Sequence, residues 1–228
     1  MTSLASLFGI IVGSSHFEGG LVALFARDQV RNTLIQVLQP FASGALLSLA
    51  IVHLIPLSLR MFPWSAVVLL GAIAGLMVLS EFNTPDRVLV LTPRWGQGLL
   101  LMMYSLSLGI VLGIPLPLGF RMVLIAAIVG IPTQFVQGVK RSVRKSGQRE
   151  KGGMMRLVVN SLPIPLTVFV LQVLSPLLRP AHAGFLLSFA TAVILYQGML
   201  EFRIPYPFKR SALKVLYFLT GVFLVYCL

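Results

Sequence analysis

Charge is what this sequence has least of. Among its 228 residues six are acidic and three are histidine, and charged residues of all kinds make up 11%. A soluble domain carries roughly a quarter, so this chain cannot cover itself with water-facing side chains. The single cysteine, Cys227, excludes an intramolecular disulfide and any thiolate cluster. The three histidines are scattered. No nucleophile–base motif, phosphate-binding loop or dinucleotide fingerprint is present, so the chain is not expected to be an enzyme, and no cofactor is expected. No Lys or Arg precedes Arg27. The first apolar run therefore lacks the basic flank of a cleaved signal peptide and is expected to persist as a helix. Connections are short, with no room for a soluble domain and no low-complexity segment.

What is present is apolar. The chain is 57% hydrophobic, with a mean hydropathy of +0.94. These values point to an all-α polytopic membrane protein with one membrane domain over 1–228. The net charge of +12 reflects cytoplasmic loops in such a protein. Without a basic soluble domain, nucleic acid is not an expected partner; the lipid bilayer is.

Apolar runs punctuated by Pro, Gly and charge give eight expected spans, at about 4–25, 36–59, 63–82, 97–117, 119–139, 155–177, 181–201 and 211–228. The first is the weakest, since it carries His16 and Glu18. In Leu99–Gly138, two runs are expected to face each other across a turn at Pro115, Pro117 and Gly119. Each is long enough for about 30 Å of hydrocarbon. Each also has a neutral polar cluster at mid-span: Tyr104, Ser105 and Ser107 in one, Thr133, Gln134 and Gln137 in the other. Polar groups at that depth are where function is expected.

Alternating eight spans puts fifteen Lys and Arg on one face and only Arg60, Arg121 and Arg179 on the other. The basic face is cytoplasmic, so both termini should lie away from the cytoplasm. The expected location is a bacterial inner (plasma) membrane. The segment Lys140–Arg156 concentrates Lys140, Arg141, Arg144, Lys145, Arg149, Lys151 and Arg156. It reads first as a topology determinant against anionic lipid headgroups, and second as a docking site for an acidic partner. The pairs Gly71/Gly75 and Gly109/Gly113 allow close helix approach, expected within the chain, with a homodimer as the lesser reading.

Phe41–Pro56, FASGALLSLAIVHLIP, resembles the second helix of the ZIP family of divalent-metal (zinc and iron) transporters. Ala66–Phe82 is similar to the third helix of that family, Gly184–Phe202 to the seventh, and Ala212–Leu228 to the eighth. The resemblance implies an eight-helix ZIP-like bundle and divalent-metal transport. It also marks where ligands belong. The fourth helix of the family carries HNxPEGxxxG; here Tyr104–Gly113 reads YSLSLGIVLG, with Tyr104, Ser105 and Leu108 at the His, Asn and Glu positions. The fifth carries HNIPEG or HExPH; here VGIPTQ puts Val129, Gly130 and Thr133 there. In the sixth, SGLxEPxG becomes NSLPIPLT, with Ile164 for Glu. A His-rich loop between the third and fourth helices is absent.

Zinc takes about four N, O or S donors, usually some of them anionic. One phenol, two hydroxyls and aliphatic groups cannot compensate a doubly charged ion stripped of water. No metal is therefore expected at these positions. His16, Glu18, His53 and Glu201 are the remaining alternative ligands. Each also has a plainer reading, such as a local ion pair of Glu201 with Arg203. Ser107, Gln134, Gln137, Gln172 and Gln197 could line a polar path or hydrogen-bond between helices. Two functions follow. One is a ZIP-derived structural or assembly subunit of a larger membrane complex that no longer transports. The other is a transporter of divalent metal or another small solute through an altered site. The residues favour the first.

Overall fold

The apolar runs fold as helices, some interrupted at proline and others, as at Pro40 and Pro132, carrying it inside. The computed structural model describes residues 2–81, 95–114, 119–143, 153–202 and 211–228. Among them there is no strand. The helices are α1 (Thr2–Phe25), α2 (Asp28–Ser48), α3 (Ile55–Met61), α4 (Ser65–Glu81), α5 (Trp95–Gly113), α6 (Phe120–Val143), α7 (Gly153–Ser161), α8 (Pro163–Leu174), α9 (Pro180–Glu201) and α10 (Ser211–Cys227).

Four helical stretches are long and apolar enough to cross a membrane: Leu4–Phe25, Gln29–Met61, Phe120–Lys140 and Pro180–Glu201. The other four expected spans fall on shorter apolar helices, Ser65–Val78, Leu99–Gly113, Pro163–Leu177 and Leu213–Cys227. Large apolar side chains such as Phe25, Trp64, Phe169 and Phe223 stand exposed on the outside, as lipid contact demands.

The stretch Gln29–Met61 has 33 residues, about 50 Å at 1.5 Å per residue. It continues from α2 into α3 through a π-helical turn at Leu49–Leu54, where the Ile55 N–H bonds back to the Ala50 carbonyl. Pro56 has no N–H to offer, and the ladder widens ahead of it. The expected span at 155–177 is not one helix. It breaks at Leu162 into α7 and α8, because Pro163 cannot continue the hydrogen-bond ladder and its ring would meet the carbonyl of Val159.

Sequence neighbours are not the closest packed. The expected face-to-face pair in Leu99–Gly138 is corrected. Helices α5 and α6 meet around Tyr104 and Thr133 and around Ser105 and Gln134, but α6 lies mainly along α1 and α5 mainly on α8 and α9. The reason is glycine. A Cβ at Gly19 would overlap the Phe135 carbonyl, and one at Gly138 the His16 carbonyl. Bare backbones let α1 and α6 close on each other. Helices α2 and α10 pair the same way through Gly44 against Phe218 and Gly221 against Phe41. Of the turn between α5 and α6, Gly119 has φ 63°; Pro115 and Pro117 lie outside the described residues.

Contacts fix relative directions. Val12 meets Gly130 and Gly20 meets Gly138, so α1 and α6 are parallel. Gly44 meets Phe218 and Ser48 donates to the Val222 carbonyl at 3.3 Å, so α2 and α10 are parallel. Gly109 packs on Thr167 and Gly113 on Leu171, so α5 and α8 are parallel. Gly9 meets Val168 and Gly13 meets Pro165, so α1 and α8 are antiparallel. Gln39 reaches the Glu201 carbonyl and Ser43 the Gly198 carbonyl, so α2 and α9 are antiparallel.

The pair Gly109/Gly113 packs inside the chain, as expected. Gly71/Gly75 does not: nothing among the described residues lies within 4 Å of a Cβ at either. They share the outer face of α4 with the exposed Val67, Leu70 and Val78, while Leu76 is turned inward.

Candidate functional site

Among the described residues, a chain of buried and partly buried polar side chains runs through the junction of α5, α6 and α9. On α6, Thr133, Gln134, Gln137 and Lys140 recur every three or four residues, which places them on one side of the helix. They face Tyr104 and Ser105 of α5 at one end and Glu201 of α9 at the other.

Glu201 is the centre of the lower half. Its Oε1 accepts from the amide of Gln137, from the amide of Gln197 at 2.8 Å, and faces the Lys140 ammonium at 3.8 Å. Its side chain is 4% exposed and that of Lys140 29%. Gln197 stands one turn before Glu201 on the same helix, the spacing that lets the two side chains meet. Gln39 of α2 donates to the Glu201 carbonyl at 3.0 Å, and Ser43 to the Gly198 carbonyl at 2.7 Å. The carboxylate thus ties α6 to α9, and the backbone carbonyls beside it tie α9 to α2. Its second oxygen, Oε2, is buried and takes no hydrogen bond from a protein group.

The upper half is neutral. Gln134 Nε2 points at Ser105 Oγ at 3.5 Å. The Thr133 hydroxyl donates to its own helix, at the Val129 and Gly130 carbonyls. Tyr104 faces that hydroxyl within reach of a weak hydrogen bond, and its own oxygen is buried without a well-formed one; so is Gln134 Oε1.

The seven positions at which the sequence resemblance would put metal ligands are all buried. Tyr104, Leu108 and Val129 are fully enclosed and Ile164 nearly so, all in one hydrophobic core. Ser105 lies on Gln134, Thr133 opposite Tyr104, Gly130 under Val12, and Ile164 presents its carbonyl to Gly109.

The alternative ligands do not converge. His16 is buried on α1 in the contact with α6. Glu18 is exposed and accepts from Ser14 at 3.3 Å. His53 lies in the π turn of the α2–α3 stretch, within electrostatic reach of Arg121, away from Glu201. Among the described residues no three His, Cys, Asp or Glu side chains could share a metal ion. Of the expected polar path, Gln134, Gln137 and Gln197 join the chain. Ser107 turns back onto the Met103 carbonyl at 2.8 Å. Gln172 accepts from Ser6 at 2.5 Å, between α8 and α1.

Among the described residues, Glu201 finds its cation on α6; Arg203, the expected partner, lies outside them. Lys140 accordingly turns inward to that carboxylate. Arg141 and Arg156 belong to α6 and α7, and Arg144, Lys145, Arg149 and Lys151 lie outside the described residues. The sequence reading did not single out Gln39 and Ser43. Their signal was their spacing of four, on a helix otherwise lined by small residues.

Set beside known proteins, the chain matches no protein-family model and no curated protein sequence.

Proposed function

We propose that this chain is an eight-span integral membrane protein of ZIP-like fold that serves as a non-transporting structural or assembly subunit of a larger membrane complex. The observation that carries this reading is the filling of the seven ligand positions by buried neutral or aliphatic groups. A divalent ion there would be desolvated without anionic compensation, at a cost of many kcal/mol.

The span count draws support from helix direction. If the eight apolar stretches alternate across the bilayer, the first and fifth must be parallel, as must the second and eighth and the fourth and sixth. The first and sixth, and the second and seventh, must oppose. Each of these pairs packs in that sense. The Lys140 and Glu201 ends of α6 and α9 then share the basic, cytoplasmic face, and both termini face away from it. In this reading the membrane is a bacterial inner membrane, the basic segment rests on anionic headgroups, and the partners are other membrane subunits or a second copy.

The test is uptake of zinc, iron and manganese into proteoliposomes containing the purified chain, with a ligand-complete ZIP transporter as control. No uptake beside an active control is expected. Saturable uptake would reject the scaffold reading and favour the second one, a metal or small-solute transporter with an altered site. The buried carboxylate of Glu201 is the observation on that side, and His16, Glu18, His53 and Glu201 would then be the residues to replace.

A further inference from the structure

Three buried polar atoms from three helices lack a well-formed hydrogen bond to the protein along one chain of side chains: the Tyr104 hydroxyl on α5, Gln134 Oε1 on α6 and Glu201 Oε2 on α9. Tyr104 and Gln134 are fully buried and Glu201 is 6% exposed. The three share a locality. Gln134 and Tyr104 sit over the adjacent residues Ser105 and Thr133. Gln137, one turn on from Gln134, is bonded to Glu201, whose charge bears on the Tyr104 phenol.

Leaving one buried donor or acceptor unsatisfied is costly, and three in one place multiply that cost. Polar interiors meet it with ordered water, which needs two to four polar neighbours. Such neighbours are present here and absent one turn farther along. Beyond Tyr104, α5 continues with Leu108 and Leu112; on α6, Val129 and Ile125 occupy the same level, all buried. At the other end Lys140 is partly exposed and lies against Glu201.

We propose that Tyr104, Gln134 and Glu201 line a binding site for a short file of water molecules. The site opens past Lys140 at the basic end and is closed by Leu108 and Val129 at mid-span. It is a hydrated half-channel. Protons and water reach Tyr104 from one side of the membrane, and nothing passes through. The inference stands whether the chain is a scaffold or a transporter.

Hydroxyl-radical footprinting of the intact chain in lipid nanodiscs, with the radicals generated in oxygen-labelled water, tests it. Radicals form where water is, so Tyr104 should take up label well above the equally buried Leu187 after correction for intrinsic reactivity. Labelling of Tyr104 no greater than that of Leu187 would overturn the proposal. A second measurement separates a hydrated hydroxyl from a dry, unbonded one. A hydroxyl that bonds to water stabilises the fold, whereas an orphan destabilises it. Tyr104→Phe should therefore lower the unfolding temperature; an unchanged or raised value would mean a dry site and would equally overturn it.

Discussion

The Lys140 ammonium of α6 stands 3.8 Å from the Glu201 carboxylate of α9, with the lysine at the protein edge and the carboxylate enclosed. The asymmetry matters. Removing the cation leaves a buried charge supported only by amides, whereas removing the charge leaves a solvated lysine. We expect Lys140→Met to cost about 2 kcal/mol, less than the roughly 3–5 kcal/mol of a fully buried broken pair because the lysine is partly exposed. Glu201→Gln should cost less. The double variant should recover much of the Lys140→Met loss. Thermal unfolding in mild detergent reads all three, and additive losses would show that the two residues are not coupled.

Ser43 donates to the Gly198 carbonyl at 2.7 Å and pins α2 to α9 beside that pair. Interhelical hydrogen bonds of this kind contribute about 0.6 kcal/mol in membranes. Ser43→Ala should therefore lower the unfolding temperature slightly, well below the effect of Lys140→Met. An effect as large as that of the charged pair would mean that the serine, not the carboxylate, organises the junction.

Glycines divide into two kinds. Gly138 faces the His16 carbonyl, where a side chain meets backbone that cannot step aside; Gly75 faces open space. Gly138→Leu should separate α1 from α6 and destabilise by about 3 kcal/mol, at the upper end for overpacking. Gly75→Leu should leave monomer stability unchanged. Unfolding temperature and the size-exclusion profile distinguish them. A Gly138→Leu protein as stable as the parent would mean that α1 and α6 do not make this contact.

The helices were legible as apolar runs, and the described residues of each expected span lie mainly on helix. Their breaks and partners were not. Pro163 splits an apolar run that hydropathy reads as unbroken, since proline is itself compatible with an apolar segment. The reciprocal glycine contacts of α1 with α6 join residues too far apart in sequence for any local pattern to link them. The same holds at the junction. Glu201 and Lys140 were each visible, one as a ligand candidate and the other as part of a basic loop. Their pairing required α6 to bring Gln137 and Lys140 to the end of α9. The spacing of Gln134, Gln137 and Lys140 on one helical face was the local sign of it.

Orientation is the last expectation that the geometry sharpens. Helices α2 and α9 are antiparallel, with Gln39 midway along α2 beside Glu201 at the end of α9. Gln29 and His182, both exposed, therefore lie near opposite ends of the bundle. Among the described residues Arg27, Arg31 and Lys140 lie toward the Gln29 end, which should be cytoplasmic. In a Cys227→Ser background, His182→Cys should react with a membrane-impermeant maleimide on intact cells, and Gln29→Cys only after permeabilisation. The reverse pattern would invert the protein in its membrane while keeping the fold. Labelling of both from one side would contradict the antiparallel crossing of α2 and α9, and with it the alternation on which the eight-span reading rests.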